Sequence, residues 1–285
     1  MPRIVYVNGA YLPEDQATIS IFDRGFIFGD GVYEATSIID GTLIDVRAHL
    51  ARLARSCAEI SLSLPWSTEA LIAIHQELIR RNDLTEGNVY LQVTRGAADR
   101  DFVFPKAAHP TLIMFTQARN LLNAPAAKTG IRVITAPDLR WTRRDIKSVN
   151  LLASVLAKQA AAEKGAQEAW MLEGDTITEG GSSTAWIVKD RTLISRPLSE
   201  KVLPGITRAA VLEFVAESGF GFGQRPFTLA EALAADEAFI TSATNLVMPV
   251  TSIDGQKIGK GVPGPAATRL RELYISFARK GGALG

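Results

Sequence analysis

Short segments of alternating apolar and polar residues begin the chain, and a glycine-containing dipeptide interrupts each of the first two. The runs IVYVNGAYL and EATSIIDGTLIDV contain Asn8-Gly9 and Asp40-Gly41. Both dipeptides accept the positive φ angles of type I′ turns, so each run predicts a β-hairpin. Apolar residues then recur at helical spacing near Arg47–Ser61 and Ser67–Arg81. Two strand-like runs follow, NVYLQVTRG and TLIMFTQAR.

The periodicity breaks over residues 119–129, which contain Pro125 and are followed by Gly130. This segment is the predicted linker between a small N-terminal α/β domain, residues 1–118, and a larger domain, residues 130–285. Strand-like runs and helical patterns mix throughout the second part, where Gly205 precedes a helix and the glycines of GFGFGQRP end it. A last helix is predicted near Ala266–Lys280. No internal repeat of 20–50 residues is visible.

Composition narrows the class of protein. The chain has 285 residues, of which 47% are hydrophobic and 21% charged, so a sizeable core is expected rather than disorder. The net charge of +1 gives no electrostatic reason to expect a nucleic acid or a membrane as partner. With Cys57 as the one cysteine, neither a disulfide framework nor a cysteine metal site is expected, and no metal ligand is predicted. The three histidines restrict acid–base catalysis by histidine. No signal peptide and no membrane span is visible, which predicts a cytoplasmic protein.

Lys147 is the first candidate for chemistry. It lies between Ile146 and Ser148, just before a helical pattern that Ser148 or Asn150 could cap. The lysine therefore falls outside the helix, among residues that tend to be buried. A lysine in such a place either extends its amine to water or is retained for a reaction, and position alone leaves both readings open.

Three other features suit an anionic, electron-poor cofactor, although each alone also has an ordinary structural explanation. In PGITR, the backbone N–H groups after Gly205 open a helix, where they can bind a phosphate. Arg52 can hold a phosphate by two hydrogen bonds. Glu179 ends a strand and precedes two glycines and a hydroxyl cluster. A lysine, an acid and a helix start, in this order, can serve pyridoxal 5′-phosphate: the lysine forms a Schiff base and the acid keeps the ring nitrogen protonated.

The chain resembles the fold-type IV pyridoxal-phosphate aminotransferases over nearly its whole length, and within them the D-amino acid (D-alanine) aminotransferase branch. The motifs that carry the resemblance occur in the family's order and are FGDGVYE (28–34), HLARL (49–53), TRG (94–96), DIKSVNLL (145–152), LAKQAAAEKG (156–165), TEGGSS (178–183) and PGITR (204–208). The resemblance implies a two-domain fold of the α+β or α/β class, whose larger domain has a β-barrel-like core and binds the cofactor. It also implies a homodimer.

The resemblance assigns roles to individual positions. It implies that Lys147 bonds to pyridoxal 5′-phosphate and that Glu179 pairs with the ring nitrogen. The implied phosphate-binding positions are Arg52, Ile206, Thr207, Ser242 and Ala243. Ala243 stands where the family often has threonine, so only its backbone N–H can contribute there.

The substrate-binding positions depart from the family pattern. Tyr33 and Arg100 resemble members of the trap that binds the substrate carboxylate, but Phe102 replaces the histidine of the D-specific trap. Phe102 cannot donate a hydrogen bond, and Asp101 beside it would repel a carboxylate if it pointed inward. The departure leaves the cofactor contacts untouched but leaves the substrate preference open.

The expected reaction is a ping-pong transfer of the amino group of a D-amino acid to a 2-oxo acid, 2-oxoglutarate or pyruvate. Other fold-type IV activities are the alternatives: an (R)-amine transaminase, a branched-chain L-amino-acid aminotransferase or an aminodeoxychorismate-lyase-like enzyme. An alternative from a different functional class is a protein without catalytic activity that retains only the binding fold. The presence of both Lys147 and Glu179 argues against it.

Overall fold

A computed structural model describes residues 2–107 and 109–280. The chain divides into two compact units. The first unit comprises residues 2–120 together with residues 146–150, and the second comprises Leu121–Asp145 and Leu151–Lys280. The segment that contains Lys147 therefore belongs to the unit built mainly from the start of the chain.

The first unit is an antiparallel sheet of six strands with helices. Its elements in chain order are β1 (Ile4–Val7), β2 (Ala10–Pro13), α1 (Arg24–Phe28), β3 (Gly31–Ile39), β4 (Thr42–Leu43), α2 (Val46–Glu59), α3 (Thr68–Arg81), β5 (Gly87–Thr94) and β6 (Thr111–Ala118). The strand order is β2-β1-β6-β5-β3-β4, and all neighbours run antiparallel.

Both predicted hairpins are confirmed in this sheet. Asn8 and Gly9 have φ angles of 48° and 101°, and Asp40 and Gly41 have φ angles of 50° and 74°. The two predicted helices are also confirmed, because α2 and α3 lie within two residues of the expected bounds. Their apolar faces pack on the sheet in one core, to which Ile146 also belongs.

The second unit contains the remaining elements. In chain order they are α4 (Pro125–Thr129), β7 (Ile131–Pro137), α5 (Leu152–Glu163), β8 (Glu168–Glu173), β9 (Thr176–Gly180), β10 (Thr184–Lys189), β11 (Thr192–Ser195), α6 (Ile206–Glu213), α7 (Val215–Ser218), β12 (Gly221–Gln224), α8 (Leu229–Leu233), β13 (Glu237–Ser242), β14 (Leu246–Ile253), β15 (Gln256–Lys257) and α9 (Pro265–Arg279).

Nine strands of this unit form one mixed sheet, in the order β12-β11-β10-β13-β14-β7-β8-β9, with β15 beside β14. Parallel pairs join β7 to β14 and to β8, and β11 to β12. The last strand of the order, β9, also packs against β10, so the sheet curls into a half-barrel. The helix predicted after Gly205 is interrupted at Phe214, and Gly219, with a φ of 75°, ends it as predicted.

The start of α5 differs from the sequence prediction. Neither Ser148 nor Asn150 caps it, and Leu151 occupies the N-cap position without a side-chain bond. The reason is that both residues are engaged in the first unit: Ser148 forms an antiparallel bridge with Val32, and Asn150 Nδ2 donates to the carbonyl of Gly29 over 3.4 Å. Across residues 2–107 and 109–280, no helix combines the length and apolar character that crossing a bilayer requires.

Candidate active site

Three buried side chains lie along one face of α2, and this face organises the candidate site of the first unit. His49, Arg52 and Ser56 follow a spacing of three and four residues, which places them in one line on a helix. The neighbouring strand β3 contributes Tyr33 and Glu34. The motifs HLARL and GVYE thus meet at the contact between α2 and β3.

Arg52 forms a two-pronged ion pair with Glu34. Arg52 Nε donates to Glu34 Oε1 over 2.7 Å, and Arg52 Nη2 donates to Glu34 Oε2 over 2.8 Å. His49 Nδ1 donates to the same Oε2 over 2.7 Å. Burial by itself would raise the pKa of the Glu34 carboxyl, but Arg52 and His49 hold that pKa well below its ordinary value. Glu34 is therefore a buried, ionised acceptor behind the arginine expected to bind phosphate.

Lys147 lies beside β3, outside any helix, as predicted. The Tyr33 N–H donates to the Lys147 carbonyl over 2.9 Å, and the Lys147 N–H donates to Ser56 Oγ over 3.3 Å. The Lys147 ammonium nitrogen lies 4.2 Å from the centroid of the Tyr33 ring. The backbone of Lys147 is thus fixed by both β3 and α2, while its side chain runs along an aromatic face.

Lys158, the other lysine near this segment, has a different environment on α5. Its Nζ donates to the carbonyl of Gln167 over 2.9 Å and lies 3.3 Å from Glu168 Oε1. Glu168 also accepts hydrogen bonds from Ser182 and Ser183, which follow the TEGG motif. Lys158 therefore has a structural role, as part of the anchor of that loop.

Glu179 lies on β9 in the second unit and is buried. Arg140 Nη1 donates to its Oε1 over 2.6 Å, and the Leu203 N–H donates to its Oε2 over 3.2 Å. Burial raises the pKa of the Glu179 carboxyl, and the charge and hydrogen bond of Arg140 oppose that rise. Glu179 is thus a buried carboxylate whose charge is stabilised by Arg140.

Sequence reasoning missed Arg140 and its second partner, Asp138. Asp138 binds Arg140 through both carboxylate oxygens, over 2.9 and 2.7 Å, and accepts from Thr178 Oγ1 over 2.6 Å. The available signal was the dense run of charges DLRWTRRD, which follows a strand and leads directly to Lys147. It indicated a charged loop but not which acid the loop would reach.

The N-terminus of α6 has the features expected of a phosphate site. Gly205 is its N-cap residue, and no side-chain capping bond is made there within the described part of the chain, so the N–H groups of Ile206 and Thr207 are not capped. A Cβ atom on Gly205 would lie 2.8 Å from Thr184 Oγ1, so the close approach requires glycine. Thr184 pairs with Thr241 across β10 and β13. The helix start therefore lies beside the end of β13, where Ser242 is the last residue and Ala243 follows.

Arg208, in the first turn of α6, supports the expectation of an anion at this helix end. Arg208 is 4% exposed, and its Nε has no hydrogen-bond partner among the described residues. Burial lowers the pKa of Arg208. A buried cation at the positive end of a helix is unfavourable unless an anion compensates it. The donor set of α6 thus fits the phosphate group of the expected cofactor.

The structure places the three residues of the predicted substrate trap, Tyr33, Arg100 and Phe102, in two parts of the first unit. Tyr33 stacks on Tyr90, with ring centroids 5.5 Å apart. The Arg100 guanidinium lies 5.5 Å from the ring centroids of both Phe28 and Phe102. Phe102 is 78% exposed. The contacts of Tyr33 and those of Arg100 thus involve different residues.

Asp101 makes its polar contacts within the first unit. Its carboxylate Oδ1 accepts the Val103 N–H over 3.2 Å, and its carbonyl accepts from Arg24 Nη1 over 2.6 Å. Both contacts shape the loop that carries Arg100 and Phe102.

The predicted site residues thus form two sets, one in each unit. The first unit holds Lys147, Arg52, Tyr33, Arg100 and Phe102, and the second holds Glu179, Ile206, Thr207, Ser242 and Ala243.

Comparison with known proteins gives a consistent result. The family model "Amino-transferase class IV" matches residues 31–253. The D-alanine aminotransferase of Bacillus licheniformis is 41% identical over 282 residues, 97% of this chain and 99% of that protein. The D-alanine aminotransferase of Staphylococcus aureus strain N315 is 36% identical over 274 residues, 96% of this chain and 97% of that protein.

Solved structures show the same fold. The branched-chain amino acid aminotransferase of Escherichia coli matches with a TM-score of 0.91 and 24% identity, covering 100% of this chain and 97% of that one. A second branched-chain amino acid aminotransferase, from T. th. and complexed with N-(5′-phosphopyridoxyl)-L-glutamate, matches with a TM-score of 0.87 and 26% identity, covering 99% and 95%. The predicted fold class is confirmed.

Proposed function

Because the chain belongs to the class IV aminotransferases, we propose that it transfers the amino group of a D-amino acid such as D-alanine to a 2-oxo acid. The protein is a pyridoxal-phosphate-dependent aminotransferase. The observation that carries the choice of a D-amino acid is the 36–41% identity with D-alanine aminotransferases over nearly the whole chain. The branched-chain enzymes share the fold at only 21–27% identity. 2-Oxoglutarate or pyruvate is the proposed acceptor.

The proposed residues that hold the cofactor and move protons come from both units. Arg52, Ser242 and the N–H groups of Ile206, Thr207 and Ala243 hold the phosphate. Glu179 holds a proton at the ring nitrogen. When bound, pyridoxal 5′-phosphate accepts electrons from the α-carbon of an attached amino acid and thereby makes the α-proton removable.

Lys147 is the proposed covalent attachment point of the cofactor and carries the α-proton during transfer. Two observations support this choice over Lys158. Lys147 lies beside the Tyr33 ring with its backbone fixed on both sides. The amine of Lys158 is already engaged by Glu168 and the Gln167 carbonyl.

Arg100 and Tyr33 are the proposed partners of the substrate carboxylate. An arginine fork supplies two charge-assisted hydrogen bonds, and a tyrosine hydroxyl can add a third. Phe102 supplies none, and the missing bond weakens amino acid binding by about 1 kcal/mol, less than tenfold. The apolar ring also lowers the cost of admitting a substrate without a carboxylate. We therefore expect slow activity on (R)-amines beside the D-amino acid reaction.

A homodimer is part of this proposal, and exposed apolar residues in each unit support it. In the first unit, Ile21, Phe22, Phe26, Phe102, Val103 and Phe104 are 52–78% exposed. In the second unit, α5 buries Ser154, Ala157 and Ala161 but exposes Leu152, Val155 and Leu156 by 57–72%. Apolar surface of this extent is typical of subunit interfaces. The cytoplasmic location remains a prediction from the sequence.

The half-reaction of the purified holoenzyme tests the substrate class. D-Alanine, L-leucine and (R)-1-phenylethylamine are each mixed with the enzyme without acceptor, and the visible absorbance of the bound cofactor is followed. D-Alanine should abolish the band fastest, (R)-1-phenylethylamine slowly. Lys147→Ala should show no such reaction, whereas Lys158→Ala should keep it. A faster reaction with L-leucine than with any D-amino acid would replace this proposal by the branched-chain alternative.

A further inference from the structure

Glu34 is the least expected part of the first unit, because it places a carboxylate directly against an arginine proposed to bind an anion. Its side chain is 1% exposed, and it accepts from three N–H donors: two from Arg52 and one from His49, all within 2.8 Å. His49 is 3% exposed and Arg52 is 8% exposed. The three side chains form a buried row that runs His49, Glu34, Arg52.

Stability is a weak explanation for such a row. Removing an arginine and a glutamate from water is costly, and replacing buried ion pairs by apolar residues is often neutral or stabilising. Apolar side chains fill the neighbouring buried positions of α2, since Leu50, Leu53 and Cys57 all pack against the sheet. A charged row among them therefore calls for a functional reason.

Geometry supplies that reason. A guanidinium is planar, and two parallel hydrogen bonds along one edge fix both its position and the direction of its plane. Glu34 is itself fixed, because it belongs to the paired strand β3 and its Oε2 is also held by His49. Arg52 is thus aligned by a chain of contacts that begins in the sheet, whereas an arginine without such a fork keeps several rotatable bonds.

We propose that Glu34, supported by His49, is a positioning group that orients the Arg52 guanidinium for the phosphate of the cofactor. The inference rests on the proposed role of Arg52 as a phosphate ligand. It adds two residues, Glu34 and His49, that act through Arg52 and do not themselves bind the phosphate.

Glu34 has two opposite effects on the affinity for the phosphate. Its negative charge repels a phosphate dianion, so its removal alone would strengthen binding. The two hydrogen bonds that Glu34 accepts hold the Arg52 guanidinium in one orientation. Removing Glu34 also removes these bonds, and the guanidinium can then rotate. The repulsion is already offset by the adjacent positive charge of Arg52, whereas the fork is the contact that fixes the plane of the guanidinium. We therefore expect orientation to dominate and affinity to fall.

The test compares cofactors with and without the phosphate. Glu34→Gln, His49→Gln and Arg52→Ala are prepared, with Glu77→Gln as the matched control, because Glu77 also binds arginines, Arg80 and Arg81, but on the surface of α3. Dissociation constants for pyridoxal 5′-phosphate and for pyridoxal are measured by absorbance after the holoenzyme has been resolved. The phosphorus NMR signal of the holoenzyme is recorded as a readout independent of activity.

Glu34→Gln should weaken binding of pyridoxal 5′-phosphate by about 10- to 100-fold, as expected for losing a charge-assisted fork, and His49→Gln should do so less. Both should bind pyridoxal within about twofold of wild type and broaden or shift the phosphorus signal, while Glu77→Gln changes nothing. Equal weakening for both cofactors in Glu34→Gln and His49→Gln, or tighter binding of pyridoxal 5′-phosphate, would overturn the inference.

Arg52→Ala separates the inference from the function on which it rests. If it loses affinity for pyridoxal 5′-phosphate selectively while Glu34→Gln and His49→Gln do not, the role of Arg52 holds and the positioning role of Glu34 is wrong. If Arg52→Ala weakens both cofactors equally, the phosphate role of Arg52 itself is wrong. His49→Gln keeps the test decisive should Glu34→Gln fail to fold, because its side chain touches Glu34 and leaves the arginine fork in place.

Discussion

Glu179 illustrates how burial and hydrogen bonding act in opposite directions on the pKa of one carboxyl group. It is buried, which favours the neutral acid, yet Arg140 and the Leu203 N–H both donate to its carboxylate, which favours the ionised form. In its ionised form the carboxylate stabilises a protonated nitrogen beside it, through its charge and by accepting the N–H. That is the property required of a partner for the ring nitrogen of the cofactor.

Glu179→Gln should bind pyridoxal 5′-phosphate but slow the half-reaction with D-alanine by about a hundredfold to a thousandfold, the usual effect of losing one such electrostatic partner. The amide keeps the size of the side chain but cannot hold a proton at the ring nitrogen. Stopped-flow absorbance measures the rate, and Glu173→Gln serves as control, because Glu173 pairs with Arg144 elsewhere in the same charge cluster. An unchanged rate in Glu179→Gln would reduce Glu179 to a structural acid.

Sequence motifs singled out some residues as candidates for the site. Residues whose role depends on a contact with a distant segment could not be found in this way. Lys147 stood out because it precedes a helix, and Glu179 because it precedes two glycines. Arg140 lies 39 residues from Glu179 in the chain, so only the folded structure brings the two together. Glu34 belongs to the motif FGDGVYE, but its role depends on its contact with α2. The sequence indicated which face of α2 is buried, but not which strand that face contacts.

At the scale of elements, the last helix depends on a residue from another strand. Glu237 of β13 accepts the Ala266 N–H over 3.0 Å and the Ala267 N–H over 3.2 Å, in the first turn of α9. Gly264, the N-cap residue, has no side chain to do this, and a Cβ there would collide with Glu237. The cap is therefore supplied from the sheet, which ties α9 to β13.

Glu237→Ala should lower the free energy of unfolding by about 1–2 kcal/mol, because it leaves the first-turn N–H groups of α9 unsatisfied and removes a negative charge from the positive helix end. Urea denaturation at saturating cofactor measures the change. Glu272→Ala, which removes an exposed glutamate from the same helix, should cost only a few tenths of a kcal/mol. Equal effects of the two substitutions would contradict the capping role of Glu237.

Elements were predictable from the sequence when local chemistry determines them. The hairpin turns at Asn8-Gly9 and Asp40-Gly41, and the helices α2 and α3, follow from turn residues and periodicity. The capping of α5 was predicted wrongly because Ser148 and Asn150 bond to β3 and its approach instead. Local signals at a helix start cannot show that a distant strand competes for the same residues.

At the scale of the whole molecule, the sequence could not show that residues 146–150 return to the first unit. That return depends on backbone pairing with Gly31, Val32 and Tyr33, and pairing between distant segments leaves no local pattern. The same limit applies to the exposed apolar residues of α5. Their helical spacing was visible, but the side of the helix that packs inside its own unit is the one with Ser154, Ala157 and Ala161.

Assembly gives the last prediction, which concerns Arg100. Its loop carries the exposed Phe102 and Val103, and its contacts with Phe28 and Phe102 are separate from those of Tyr33 with Tyr90 and Lys147. We expect this loop to serve the site of the partner subunit in a homodimer. Lys147→Ala and Arg100→Ala chains, each inactive alone, should then restore activity when they exchange subunits.

In a hybrid dimer of these chains, one site would contain both substitutions and the other neither. Random exchange makes half of the dimers hybrid, so about a quarter of wild-type activity towards D-alanine should return. Differently tagged chains allow the hybrid to be isolated and counted, and two tagged Lys147→Ala chains, which should stay inactive after exchange, provide the control. If the isolated hybrid has no activity, Arg100 acts within its own chain, because neither of its two sites would then be complete. An Arg100→Ala chain that is active by itself would show that Arg100 does not act on this substrate.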